Sequence, residues 1–178
     1  MRALASIPCS MSHLVLIVAA LMMPALAAAT PERVFINDYN SVNELGSSLQ
    51  ILEDPQGNKR VSNFLKNENE DDWFNSEETV PNFGYSQSIF WFRTSLVNKH
   101  SQRTEWLLNV DYPLIDYLDV YIVRNKEIIQ AYHVGDKLPH EHRPIDHRNF
   151  LFPLALPPTV PTEIYIRLET QGSVKMPL

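Results

Sequence analysis

The stretch Asn82–Leu96, NFGYSQSIFWFRTSL, decides the fold of this chain. Asn82 and Gly84 are turn formers that tolerate positive φ, and the run that follows is rich in β-branched and aromatic residues. With a period of two, Phe90, Phe92, Thr94 and Leu96 share one face and Ile89, Trp91, Arg93, Ser95 and Val97 the other. Both faces carry large apolar groups, so the strand is expected to be central and covered on each side. Arg93 then needs a partner, because burying an uncompensated guanidinium is costly.

Working outward, short extended runs recur about every ten residues between turn signals, the pattern of an antiparallel sandwich or barrel. Strands are expected at Arg33–Ile36, Leu49–Glu53, Ile89–Val97, Glu105–Val110, Tyr117–Val123, Ile128–His133, Arg148–Leu154 and Ile164–Thr170. About eight strands suit an all-β, jelly-roll-like antiparallel sandwich. Asp54-Pro55-Gln56-Gly57 reads as a turn, and Asn98–Arg103 and Arg124–Glu127 as hairpin connections. Val61, Phe64 and Leu65 have the spacing of a short helix that could plug one end. The acidic stretch Asn67–Thr79 reads as a solvated loop tacked down by Trp73 and Phe74.

The first 29 residues read as a cleaved secretory signal. Arg2 supplies the positive start, Leu14–Leu26 an apolar stretch too short to span a bilayer, and Ala27-Ala28-Ala29 a small-residue cleavage pattern. Residues 30–178 then form one domain, exported and expected in the periplasm. The sole cysteine, Cys9, lies in the signal, which excludes a disulfide framework or a thiolate metal site from the mature domain. The formal net charge of −6 for the whole chain argues against nucleic acid or an anionic membrane surface as partner.

Several side chains could carry chemistry. Arg93, Arg143, Arg148 and Arg167 lie in strands or in the loop between two of them; they either pair with Asp119, Asp146 or Glu169 or form a cationic cleft for ligand carboxylates and sugar hydroxyls. Asp119 interrupts an apolar strand, and a buried Arg93–Asp119 pair is the specific expectation. Trp91, Trp106, Tyr117 and Tyr121 offer aromatic faces that match the C–H surfaces of sugars, although core packing is the commoner use of a strand aromatic. The loop His140-Glu141-His142-Arg143-Pro144-Ile145-Asp146-His147 resembles the first cupin motif only loosely, and no second cupin motif follows. His140, His142 and His147 are therefore weak metal candidates, and no cofactor is expected. The chain has no Gly-x-Ser-x-Gly elbow and no phosphate-cradling glycine loop.

Four blocks together resemble the 7TMR-DISM extracellular 2 domain, a sensor domain of bacterial signalling proteins: NFGYSQSIFWFRTSL, LIDYLDVYIVRN from Leu114, GDKLPHEHRPIDHRNFLFPLAL from Gly135, and EIYIRLETQGSVKMPL, supported by LEDPQGNKRVSNFL from Leu52. The resemblance implies a module similar to carbohydrate-binding modules, outside the inner membrane. It also implies seven transmembrane helices C-terminal to Leu178 and a diguanylate cyclase or histidine kinase output. The ligand expected is a small molecule, a carbohydrate or small carboxylate, bound by Trp91, Arg93, Asp119, Tyr121, Arg143, Arg148 and Arg167. The domain itself is expected to be non-catalytic; a homodimer is one arrangement it allows. The alternatives are a secreted cupin-like metal-binding protein and a periplasmic protein-interaction module.

Overall fold

The computed structural model describes residues 31–37, 43–66 and 72–178. The expected signal peptide with Cys9, and Glu68, Glu70 and Asp71 of the acidic stretch, lie outside the described residues.

Among the described residues eleven strands run in chain order: β1 (Arg33–Ile36), β2 (Gln50–Asp54), β3 (Phe74–Asn75), β4 (Asn82–Tyr85), β5 (Ile89–Asn98), β6 (Glu105–Val110), β7 (Tyr117–Arg124), β8 (Glu127–Val134), β9 (Phe150–Ala155), β10 (Pro161–Glu169) and β11 (Ser173–Lys175). Among the described residues one α-helix, α1, spans Val61–Leu65. Seven strands form the main sheet in the order β3-β2-β5-β10-β7-β8, with β1 also against β5; β4–β11 and β6–β9 form two smaller sheets. The pairings are antiparallel except β1 with β5, and β1 shares one edge of β5 with β2 because it contacts residues 95–98 while β2 contacts 89–93. The fold is thus mostly β and mostly antiparallel, as the spacing predicts. The pairing does not show the jelly-roll order, and three short strands, β3, β4 and β11, add to the eight expected.

Strand β5 is buried along its whole length, and its alternation divides the molecule into two cores. Phe90, Phe92 and Leu96 face an inner core shared with Leu108, Phe150, Phe152 and Leu154 of the β6–β9 sheet and with Val174 and Met176 near the end of the chain. Ile89 and Trp91 face an outer core with Leu52, Tyr165, Trp73 and the α1 residues Val61 and Phe64. Each such large side chain removed from water contributes about 1.5–3 kcal/mol. Five residues are too few to hold a helix alone; α1 stands because the Asn63 side chain caps the Arg60 amide at 2.8 Å and Phe64 packs at 4.9–5.0 Å on Trp91 and Trp73. Trp73 therefore pins the acidic segment, whereas Phe74 stays half exposed.

The turn chemistry explains most connections. Asp54 to Gly57 closes with an amide-to-carbonyl bond of 3.2 Å, and the buried Asp54 carboxylate accepts the Lys59 amide at 2.9 Å. Asn125 and Lys126, at φ 50° and 64°, make the two-residue turn that joins β7 to β8. Asn98–Arg103 is not a hairpin. Strands β5 and β6 belong to different sheets, and Asn98 turns the corner by donating to the carbonyls of Arg103 and Leu156 at 2.7 and 2.8 Å. Gly84 has positive φ as expected, but inside the short strand β4 rather than in a free turn.

Candidate functional site

Strand order decides which polar residues meet. On the outer face, register places Trp91 (β5), Arg167 (β10), Asp119 (β7) and His133 (β8) side by side across four strands. The neighbouring row carries Arg93, Tyr165, Tyr121 and Ala131. Helix α1 and Trp73 cover the β2–β5 side of this face and reach over Tyr165 of β10, and among the described residues the side that carries Arg167, Asp119 and His133 is the more exposed.

On that side, charged groups form a chain. Arg167 lies 3.5 Å from Asp119 and donates to Glu169 at 2.6 Å; the other Asp119 oxygen lies 2.9 Å from His133 Nδ1. Arg167 and Asp119 keep 16% and 19% of their side chains exposed, so the pair is shielded but not dry. Tyr121 sits beside them, its ring near-parallel to Trp91 at 6.2 Å and edge-on to His133 at 5.9 Å. Burial, and then the Asp119 charge, push the Tyr121 hydroxyl above its ordinary pKa against the opposing pull of Arg167 and Arg60. The phenol is therefore neutral and able to donate at ordinary pH.

The strip runs into a cleft of about 730 Å³ at the end of the sheet. Glu169 belongs to both, and its cross-strand neighbour Tyr117, with Tyr85, Asp116, Lys137 and Gln171, is among the residues that line the cleft. Tyr85 is 85% exposed and Tyr117 40%, so two aromatic surfaces meet solvent beside carboxylates, an ammonium and an amide. Apolar faces next to planar polar groups suit a polyhydroxylated ligand.

The expected residues divide into groups. Asp119, Tyr121 and Arg167 come together on the open face. Arg93 does not pair with Asp119. It is buried one row and two strands away, where Nε donates to Gln50 at 2.8 Å and the guanidinium lies 4.3 Å over Trp73. Trp91, 1% exposed, backs Tyr121 from the core. Arg143 staples its own loop, donating to the carbonyls of His147 and Arg148 at 2.9 and 2.8 Å and lying 4.5 Å over Phe150; Arg148 is exposed on that loop. Trp106 belongs to β6, in the other layer. His140 lies 3.7 Å from Asp146, and His147 Nδ1 instead accepts the Asn149 amide. Among the described residues no three histidine, cysteine or carboxylate side chains converge to hold a metal ion.

His133, Tyr85 and Lys137 escaped the sequence reading. The alternation Tyr117, Asp119, Tyr121 along β7 matches Tyr165, Arg167, Glu169 along β10, and the two patterns would have met on paper had the adjacency of these strands been known.

A covered inner core, a partly open outer face and a cleft at the end of the main sheet characterise this β-rich domain. A search of the curated proteins finds no match. The family model 7TMR-DISM extracellular 2 matches residues 46–178, and the chain belongs to that family, the extracellular sensor domains of seven-transmembrane receptors. It is a sensor domain rather than a catalytic one.

Proposed function

We propose that this domain is the periplasmic ligand-sensing part of a bacterial membrane signalling receptor, that it binds a carbohydrate along the strip and cleft of the outer face, and that the receptor's output is a diguanylate cyclase or histidine kinase. The observation that carries the ligand choice is the state of Arg167. Its guanidinium is already engaged by Asp119 and Glu169. A small carboxylate would have to displace an anion, whereas a neutral sugar adds hydroxyls to groups that keep unused hydrogen-bonding capacity. The exposed Tyr85 and Tyr117 rings supply stacking surfaces.

The same cleft offers a route for the signal. Tyr85 on β4 stands opposite Ser173 on β11. Beyond β11, Met176 is fully buried, its amide bonded to the Pro81 carbonyl at 3.0 Å. A ligand that draws Tyr85 toward Tyr117 acts directly on the residues that leave the sheet, and it shifts the receptor only through different affinities for two arrangements. Export with residues 1–29 as the signal belongs to this reading.

The test is thermal unfolding against neutral monosaccharides, oligosaccharides and two- to four-carbon acids. A ligand at about 100 times its dissociation constant adds about 2.7 kcal/mol. Stabilisation by a sugar, lost in Arg167→Met and Tyr117→Ala, is expected. Stabilisation by acids alone would contradict the ligand class.

A further inference from the structure

We infer, resting on the carbohydrate reading of the outer face, that its ligand is a linear oligosaccharide of three rings lying along β7 rather than a single sugar. Residues two apart on a strand share a face and stand about 7 Å from each other, so Tyr121, Asp119 and Tyr117 form three successive rungs over about 14 Å. Strand β10 completes each rung, with Tyr165 opposite Tyr121, Arg167 opposite Asp119 and Glu169 opposite Tyr117. The rungs therefore alternate aromatic, charged, aromatic. A single pyranose ring covers one rung and part of the next, whereas three linked rings cover all of them.

Each rung offers something to a sugar. At the first, Tyr121 is half-buried against Trp91, and the exposed Ala131, its neighbour on β8, adds only a methyl group beside it. At the second, Asp119 and Arg167 lie 3.5 Å apart and keep lone pairs and N–H groups for hydroxyls. At the third, Tyr117, 40% exposed, lines the cleft together with Tyr85, giving two aromatic surfaces to a terminal ring. At about 730 Å³ the cleft alone has more room than one hexose fills.

The opposite end fixes the length. The next outer-face residue of β7 beyond Tyr121 is Val123, which is fully buried in the core beneath α1. Phe64 of α1 stacks on Tyr165 at 5.9 Å beside the first rung. A fourth ring finds no rung past Tyr121, and the strip accepts three.

The probes are malto-, cello- and chito-oligosaccharides of one to four rings, titrated calorimetrically into the purified protein. In the series that binds, affinity should rise at least about thirtyfold from one ring to three, and change less than about threefold from three to four. Tyr121→Phe keeps the ring packed on Trp91 and removes only the hydroxyl. It should weaken the three-ring sugar about fivefold and leave a one-ring sugar, seated in the cleft, unchanged. One ring binding as tightly as three, affinity still climbing from three rings to four, or a three-ring sugar indifferent to Tyr121→Phe would overturn the inferred length and leave the carbohydrate reading standing. No binding at any length would overturn both.

Discussion

Replacing Phe64 by alanine removes the one aromatic that joins α1 to the outer face of the main sheet. Its ring is 1% exposed, packs edge-on against Trp73 at 5.0 Å and Trp91 at 4.9 Å, and stacks on Tyr165 at 5.9 Å. A buried Phe→Ala change costs about 3–5 kcal/mol, and three aromatic partners place this site in the upper half before relaxation. Relaxation is open to it, because Val61, Phe64 and the partly buried Leu65 anchor α1 and so short a helix can lift rather than leave a void. The expected loss is therefore about 4 kcal/mol. At about 3 °C per kcal/mol for a domain of this size, the midpoint falls by about 12 °C. Urea unfolding followed by far-ultraviolet circular dichroism measures the loss, and tryptophan fluorescence should shift to the red as Trp73 and Trp91 become wet. Phe64→Leu, which keeps most of the volume, should cost less than about 2 kcal/mol. A loss under about 1.5 kcal/mol for Phe64→Ala with unchanged fluorescence would refute the packing of α1 on this face.

Other outcomes follow from single contacts. Asn98→Ala strips partners from the carbonyls of Arg103 and Leu156 and from the His100 amide at the corner between the layers, and should cost about 3 kcal/mol in the same denaturation assay; a loss under about 1 would contradict that role. Gly135→Ala would put a methyl group 2.0 Å from the Asp116 carbonyl oxygen and should destabilise by at least about 3 kcal/mol. Gly84→Ala, with positive φ but open space around it, should cost only about 1 kcal/mol, and similar values for the two would deny the close approach at Gly135. Burial holds the Tyr121 and Tyr132 phenols neutral and raises their pKa above 10. The folded state thus keeps these protons more tightly than the unfolded one, so their stabilising contribution is complete below pH 10 and fades as the pH rises through the raised values. Phenolate absorbance at alkaline pH should show late titrations, one of them absent from Tyr121→Phe; ionisation of Tyr121 at or below its ordinary pKa would contradict the burial.

Legibility of the sequence followed the range of the interactions. Strands β5, β6 and β7 were readable almost residue by residue because alternation is local, and the Asp54–Gly57 and Arg124–Glu127 turns because Pro, Gly and Asn act within four residues. The short strands β3, β4 and β11 were not, since two to four residues carry too little periodicity. Adjacency was the main gap. Asp119 stands out in the sequence as an acid within an apolar strand, yet its arginine partner is Arg167 on β10 rather than Arg93 on β5, because β10, the later strand in the chain, inserts between β5 and β7. Once that insertion is known, Arg93 becomes a core residue satisfied by Gln50 and Trp73, and the open strip falls to β10, β7 and β8.

The most direct measurement is amide chemical-shift mapping on isotopically labelled protein during titration with the neutral sugar that most raises its unfolding temperature. The account predicts dose-dependent shifts concentrated at Tyr85, Tyr117, Asp119, Tyr121, His133, Arg167 and Glu169, continuing into Ser173–Lys175 of β11. Shifts confined to the His140–His147 loop or to the β6–β9 layer, or no saturable shifts on the more exposed side of the outer face, would contradict the claim that this face is the ligand site.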